Sequence, residues 1–187
     1  MQNLKLMSLL TILGLTIGNK VSIDNVDVIP NILENTIIRL PDVIVKAPKR
    51  ETSLECLRKN IFLEAANQSD DGMLAVATVV LNRTASKGYP NTICGVVYQA
   101  EYVNNKIVKN RCQFSWYCDG KPDNLRITKY NKSAWKRAED IARRAIMNNE
   151  RLESVADATH YHASYVTPKW SMTLERINDV DDHIFYK

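Results

Sequence analysis

The sequence predicts a mainly helical α+β domain, and three observations carry that prediction. Residues 52–83 contain a helix-capping signal followed by apolar residues at helical spacing. Residues 133–148 show an apolar stripe with basic residues on the opposite side, which is typical of an amphipathic helix. Residues 159–166 alternate in the manner of a strand. The 187-residue chain is long enough for one such domain and an additional N-terminal segment.

The first of these stretches predicts two consecutive helices. Thr52 to Glu55 is typical of a capping box, in which the Thr hydroxyl and the Glu carboxylate satisfy free amides at a helix start. A polar interruption follows, where Ser69 or Asp70 can cap a second helix. The nearly uncharged run from Met73 to Leu81 is apolar on every side, which indicates a buried central helix, with a strand as the alternative.

Glu64 lies near the end of the first predicted helix and faces a second helix that cannot hydrate it. A carboxyl in such surroundings should have a raised pKa and can act as an acid near neutral pH. The alternative is a solvent-exposed helical Glu, and the local pattern by itself favours that alternative.

The third predicted helix supplies scaffold. We expect Ser133 to cap it and the helix to run to about Asn148. Its apolar stripe would pack on the other two helices, while its arginines and lysines lie mostly on the solvated side.

Composition excludes several classes of function. The net charge is +4, without a long run of one sign, which slightly favours anionic polymers as partners. The chain contains no RNA-binding signature, zinc-finger spacing or phosphate-cradling glycine loop. We therefore expect no nucleic-acid partner and no cofactor.

The N-terminal part predicts export. Residues 4–17 are apolar apart from Lys5 and a few hydroxyl or glycine residues, and they are too short for a confident membrane span. A basic residue near the start, followed by an apolar region, suits a secretory signal. We interpret residues 1–18 as a signal peptide or signal-anchor segment with a transient membrane association; a buried helix is the alternative. Residues 19–50, which contain three prolines, are expected to be a linker or pro-region, with an edge strand at Val43 to Val45. The domain would then comprise residues 51–187.

The four cysteines permit two disulfides. Three pairings are open on spacing alone, and Cys112 and Cys118 flank only five residues and can close a short loop. Export would allow such bonds, whereas reduced thiols are expected in a cytosolic protein. The candidate disulfide residues are Cys56, Cys94, Cys112 and Cys118.

Gln113 to Tyr117 combine aromatic and hydrogen-bonding side chains. Such a segment suits a sugar-binding surface, because pyranose rings offer an apolar face to aromatic rings. The alternative is that these aromatics belong to the core.

The three histidines lie in the C-terminal part. His160 and His162 would share one face of the predicted strand, and His183 follows later. Three histidines can bind zinc and leave an open position for a water. The alternative is that His162 is a hydrogen-bonding member of a cleft.

Six segments, in this order along the chain, share a recognisable pattern: IFLEAANQ from Ile61, GMLAVATVVLNR from Gly72, YPNTICGVVYQ from Tyr89, QFSWYCDG from Gln113, THYHASYVTPKW from Thr159 and HIFY from His183. Together they resemble one family, the SleB-type cell wall hydrolases, which form the catalytic domain of spore-cortex-lytic enzymes and also occur in bacteriophage lysins.

The resemblance implies a fold and a catalytic residue. It implies a lysozyme-like, lytic-transglycosylase-like domain, mostly helical, with a small β element. The family's first motif usually is Glu-Ala-Arg-Gly-Glu, and its leading Glu corresponds to Glu64 here. This chain departs from that motif at Ala66, Asn67 and Gln68, which leaves the roles of the usual Arg and second Glu without a counterpart.

The resemblance also implies a reaction. Glu64 would protonate the glycosidic oxygen between N-acetylmuramic acid and N-acetylglucosamine and then take a proton from the C6 hydroxyl, giving a 1,6-anhydro end. No second carboxylate is then needed; Asp71 or Asp119 would be the candidates if water were the nucleophile.

The resemblance implies that the partner is peptidoglycan. It also implies a phage endolysin or a bacterial enzyme that acts as a monomer in the periplasm or cell wall. The residues expected to contact the sugars are Gln113, Phe114, Ser115, Trp116, Tyr161, His162 and Trp170. Two other classes of function stay open: a zinc-dependent amidase using His160, His162 and His183, and a non-catalytic wall-binding or virion protein.

Overall fold

The structure is a computed structural model, and it describes residues 39–40, 43–44, 51–121 and 125–187. The chain divides into two compact units, residues 1–48 and residues 49–187. In the first unit, β1 (Arg39–Leu40) pairs antiparallel with β2 (Val43–Ile44). The strand expected at Val43 to Val45 therefore has a partner. The predicted leader, residues 1–18, and most of the predicted linker lie outside the described residues.

Four helices form the centre of the second unit. They are α1 (Ser53–Ala65), α2 (Asp70–Ala85), the short α3 (Ile93–Val97) and α4 (Lys132–Met147). Thr52 and Glu55 form the predicted capping box, and Ser69 caps α2 by accepting a hydrogen bond from the Gly72 amide. The second predicted segment is therefore a helix, as expected, and not a strand.

The predicted cap of the third helix was wrong. The N-cap of α4 is Asn131, and Ser133 lies inside the first turn. The reason is a turn ahead of the helix, in which the Thr128 amide donates a hydrogen bond to Asn131 Oδ1 at 2.7 Å. This side chain closes the turn instead of capping the helix, and it sets the helix start two residues earlier.

Two antiparallel sheets complete the unit. A hairpin consists of β3 (Ala100–Val103) and β4 (Lys106–Cys112), two strands that the sequence analysis did not predict. The second sheet has the order β5–β7–β6, with β5 at His160–Ala163, β6 at Arg176–Val180 and β7 at His183–Tyr186. The strand predicted for residues 159–166 therefore forms, but it is shorter than predicted and spans only His160–Ala163.

The core has two parts. The larger part lies among α1, α2 and α4 and includes Leu57, Ile61, Met73 and Ile141. The smaller part joins α2 to the three-stranded sheet through Ala75, Val79 and Phe185. Because α2 contributes to both, it is buried along most of its length, as its uncharged sequence predicts.

Two disulfides hold the unit together. Cys56 on α1 pairs with Cys94 on α3, and Cys112 pairs with Cys118 across the short 3-10 helix Ser115–Tyr117. In the described part of the chain, no helix combines the length and apolar character needed to cross a membrane.

Candidate active site

The candidate site centres on a contact between α1 and the three-stranded sheet. Glu64 lies in the last turn of α1, and the hydroxyl of Tyr161 on β5 donates a hydrogen bond to Glu64 Oε2 at 2.8 Å. The Tyr161 ring packs between two side chains of β7, with ring centroids 5.1 Å from His183 and 5.5 Å from Phe185. The sheet therefore fixes the position of the hydroxyl that holds Glu64.

The electrostatics of this pair suit an acid. Burial raises the pKa of the Glu64 carboxyl above its ordinary value, while the hydrogen bond from Tyr161 and the charge of Arg83 oppose that rise. Burial and the neighbouring Glu64 raise the pKa of Tyr161 well above 10, so Tyr161 stays a neutral donor. Glu64 keeps part of its surface open to solvent, which leaves an approach for a ligand.

Arg83, in the last turn of α2, is a site residue that the sequence analysis did not single out. It is 5% exposed, and its Nε donates a hydrogen bond to the Thr159 carbonyl at 2.7 Å. Its guanidinium lies 5.4 Å from the ring centroid of Tyr89 and 5.3 Å from that of Phe114. The available signal was a single charge just after the nearly uncharged run from Met73 to Leu81, because charged residues are almost never fully buried unless they have a specific partner.

The other face of the sheet carries an aromatic group. Neighbouring residues of β5 alternate between faces, so His160 and His162 lie opposite Tyr161. His162 Nδ1 donates to the Ala163 carbonyl, so its Nε2 accepts from the Tyr186 hydroxyl at 3.0 Å. The half-buried Trp170, on the 3-10 helix Lys169–Met172, packs against this group, with centroids 5.4 to 5.5 Å from His160, His162 and Tyr186.

The register of the sheet separates the three histidines. His183 pairs with Ala163 and packs on Tyr161, so it lies on the face opposite His160 and His162. Both ring nitrogens of His162 are already hydrogen-bonded. Within the described residues, no group of three His, Cys, Asp or Glu is placed to hold a metal ion. The zinc-amidase alternative therefore has no ligand set among these histidines.

The segment from Gln113 to Trp116 divides between surface and core. Phe114 is 2% exposed beneath Arg83, and Trp116 is 9% exposed and donates to Asn60 Oδ1 at 3.1 Å. These two aromatics are core, which was the alternative left open by the sequence. Gln113 and Ser115 are exposed, and Gln113 lines a cleft of about 430 Å³ with Gln99 and residues of the β3–β4 hairpin.

The two carboxylates that the sequence analysis named as candidates for a water nucleophile do not adjoin Glu64. Asp71 is exposed in the first turn of α2, and Asp119 pairs with Lys121 at 3.7 Å. Among the described residues, Tyr161 and Arg83 are the groups that influence the pKa of Glu64, and no second carboxylate is among them.

Two solved structures share this fold. The catalytic domain of the germination-specific lytic transglycosylase SleB from Bacillus anthracis has a TM-score of 0.53 and 24% identity, covering 76% of this chain and 100% of that chain. The catalytic domain of the Bacillus cereus SleB protein has a TM-score of 0.50 and 24% identity, covering 76% and 95%. The predicted fold class, mainly helical α+β with a small β element, is confirmed.

Curated relatives point the same way. The spore cortex-lytic enzyme of Oceanobacillus iheyensis is 24% identical over 149 residues, which are 79% of this chain and 46% of that protein. The spore cortex-lytic enzyme of Bacillus cereus is 23% identical over 139 residues, or 73% and 45%. The chain thus spans less than half the length of these relatives.

The family described as Cell Wall Hydrolase matches residues 67–186. That range contains Arg83, Tyr161 and Trp170 and begins just after Glu64. The resemblance drawn from the sequence motifs is thereby confirmed, and the chain belongs to the cell wall hydrolase family.

Proposed function

We propose that the protein is a peptidoglycan lytic transglycosylase that cleaves the β-1,4 bond between N-acetylmuramic acid and N-acetylglucosamine. Glu64 is the general acid and then the general base. The observation that carries the proposal is the partly open, largely buried Glu64 carboxyl, held by Tyr161 and approached by no second carboxylate of the described residues. The relatedness to proteins described as lytic transglycosylase and spore cortex-lytic enzymes supports it.

The first step uses protonated Glu64. Because the Tyr161 hydroxyl donates to Oε2, that oxygen is an acceptor and the acidic proton lies on Oε1. Glu64 passes this proton to the glycosidic oxygen while the bond from that oxygen to the muramic acid C1 breaks. Tyr161 and the charge of Arg83 then stabilise the carboxylate that forms.

The second step returns the proton to Glu64. The Glu64 carboxylate takes a proton from the C6 hydroxyl of the same muramic acid, and that oxygen bonds to C1 and closes the 1,6-anhydro ring. The nucleophile belongs to the substrate, and so water and a second carboxylate are unnecessary. This differs from ordinary glycosidases, which need two carboxylates.

The predicted sugar-contact residues that have accessible surface are the best candidates for that role. Gln113 borders the cleft beside the hairpin, Ser115 is exposed next to it, and Trp170 offers a half-buried ring on the aromatic face. We assign His162 to holding Tyr186 and Trp170 in place, and Tyr161 to holding Glu64.

We also propose that the protein acts outside the cytoplasm, as a monomer on murein strands. Two disulfides among the described residues favour an oxidising compartment, the periplasm or cell wall. A leader in residues 1–18, a transient membrane association and a role as a phage endolysin remain predictions.

The test is mass spectrometry of the soluble products from purified murein. Wild type is compared with Glu64→Gln, and Glu153→Gln is the matched control because Glu153 is exposed. We expect anhydro-muropeptides from wild type and from the control, and a loss of at least about 10³-fold in Glu64→Gln.

Products of another kind would contradict the proposed transglycosylase activity and indicate a different function. Reducible muramic acid ends would indicate hydrolysis by water. Free stem peptides would indicate an amidase. Binding to murein without soluble products would indicate a non-catalytic wall protein.

A further inference from the structure

Arg83 is a buried cation whose position packing alone does not explain. It is 5% exposed at the end of an apolar helix, where a neutral side chain would cost less to bury. Its Nε donates a hydrogen bond to the Thr159 carbonyl, but its buried Nη1 has no hydrogen-bond partner in the part of the chain that the structure describes. An unpartnered buried donor is unfavourable, and such a group calls for a functional explanation.

The surroundings of Arg83 connect it to the catalytic carboxyl. Thr159, which accepts from Arg83, lies two residues before Tyr161, whose hydroxyl holds Glu64. The rings of Tyr89 and Phe114 enclose the guanidinium on other sides. Among the described residues Arg83 forms no ion pair, and its side chain is held beside the hydrogen-bonded pair of Tyr161 and Glu64.

Among the described residues, four titratable groups interact electrostatically with the charge of Arg83. They are Glu64 on α1, Tyr89 in the loop after α2, and His160 and Tyr161 on β5. Burial raises the pKa of Glu64, and Arg83 pulls it back; burial lowers the pKa of His160, and Arg83 lowers it further. An arginine stays charged throughout the working pH range, so its influence is constant.

We propose that Arg83 is a positioning residue whose fixed charge allows Glu64 to give up its proton and take one back within a single turnover. The inference rests on the proposed function. Burial alone would favour the protonated form and make Glu64 a poor donor. The positive charge of Arg83 lowers the cost of the ionised form, while burial, the largest influence on the Glu64 pKa, keeps Glu64 from being locked as a carboxylate.

The test compares Arg83→Gln and Arg83→Met with Arg83→Lys, which keeps the charge. Met preserves an unbranched chain between the rings of Tyr89 and Phe114. Arg151→Gln is the matched control, since burial lowers the pKa of both Arg83 and Arg151, and Arg151 donates to the Ala145 and Glu150 carbonyls and does not influence the pKa of Glu64. Two quantities are measured in each variant: the Glu64 carboxyl titration, by NMR of ¹³C-labelled protein assigned with Glu64→Gln, and the pH profile of kcat/KM on murein.

We expect the two neutral variants to shift both curves to higher pH. Removing the charge makes the Glu64 proton harder to remove, so the fall of kcat/KM at high pH moves upward. The maximal kcat should fall about tenfold, with a smaller change in KM, because the charge acts on the developing carboxylate. Arg83→Lys and Arg151→Gln should titrate like wild type.

An unchanged Glu64 titration in a folded neutral variant would overturn the inference, as would an equal shift in Arg83→Lys. If both neutral variants fail to fold while Arg83→Lys folds, Arg83 is a structural residue and the inference also fails. The NMR titration needs no turnover. An inactive wild type would therefore refute the proposed function while the effect of Arg83 on Glu64 is still measured.

Discussion

Tyr161 is the residue whose role changed most between sequence and structure. Its place in the segment THYHASYVTPKW suggested a sugar contact, whereas its hydroxyl holds Glu64 at 2.8 Å. The two residues are 97 positions apart, so no local pattern links them. Trp170 and Gln113 keep their predicted roles as candidate sugar contacts because both have accessible surface.

Removing the Tyr161 hydroxyl should impair turnover and leave the fold intact. Tyr161→Phe keeps the ring between His183 and Phe185 but removes the donor to Glu64. We expect kcat on murein to fall about 10- to 100-fold, because the carboxylate loses its preorganised donor. Tyr165→Phe is the control, since Tyr165 is 86% exposed. Equal rates in the two variants would separate Tyr161 from catalysis.

The titration of Glu64 should lower the free energy of unfolding as the pH rises. Burial raises its pKa in the folded state, so the native protein binds this proton more tightly than the unfolded chain does. The resulting stabilisation is complete below the unfolded-state pKa and is lost as pH rises through the folded-state pKa.

Glu64→Gln removes this titration. We expect its Tm to match wild type at low pH and to exceed it increasingly toward neutral pH, measured by thermal unfolding at several pH values. A difference independent of pH would contradict the role of burial. Glu153→Gln, at an exposed position, should show no such trend.

At the scale of elements, the α1–α2 junction holds the β6–β7 turn. Gln68 Nε2 donates to Asp182 Oδ2 at 3.2 Å, and the Asp182 amide donates to Gln68 Oε1 at 3.2 Å. The amide and hydroxyl of Ser69 donate to Asp181 Oδ2 at 2.8 and 2.7 Å. These contacts hold the sheet that carries Tyr161 against the helix that carries Glu64. They also explain one departure from the family motif, because a Glu at position 68 would oppose Asp182.

Gln68→Glu should therefore destabilise the fold. Replacing the donor amide by a carboxylate places two acidic groups together and leaves Asp182 without its partner, at a cost of about 1–3 kcal/mol. Adding Asp182→Asn should restore most of the loss, because the donor returns on the opposite side. Urea unfolding of the two single variants and the double variant measures this, and purely additive effects would exclude the pairing.

The two disulfides should differ in their contribution to stability. Cys56–Cys94 closes a separation of 38 residues and joins α1 to α3, whereas Cys112–Cys118 closes a separation of 6. Loop-closure entropy predicts contributions of about 4 and about 2 kcal/mol. Urea unfolding of the paired Cys→Ala variants checks this, and the opposite order would show that strain or residual structure dominates.

At the scale of the whole molecule, residues 49–187 form a unit with both parts of the core and both disulfides. We expect this fragment to unfold in one cooperative transition and to retain the murein activity proposed for the full chain. Calorimetry and the murein assay on both chains test this. A fragment that lacks a cooperative transition would contradict the division at residue 49.

The sequence by itself determined the three long helices, the capping box at Thr52, the buried character of α2 and the family. These features depend on neighbours a few residues apart, which apolar spacing and caps record directly. The hairpin, β6 and β7 were missed because short strands are stabilised by cross-strand partners and not by their own residues.

Only the tertiary structure decided which side chains meet. It paired the cysteines, placed Phe114 and Trp116 in the core, separated His183 from the other histidines and brought Arg83 and Tyr161 to Glu64. Each of these outcomes depends on helix packing or strand register between segments distant in the chain. A shift of one residue in the β5–β7 register would turn the Tyr161 side chain to the other face of the sheet, away from Glu64. The contact between Tyr161 and Glu64 therefore depends both on this register and on the packing of the sheet against α2.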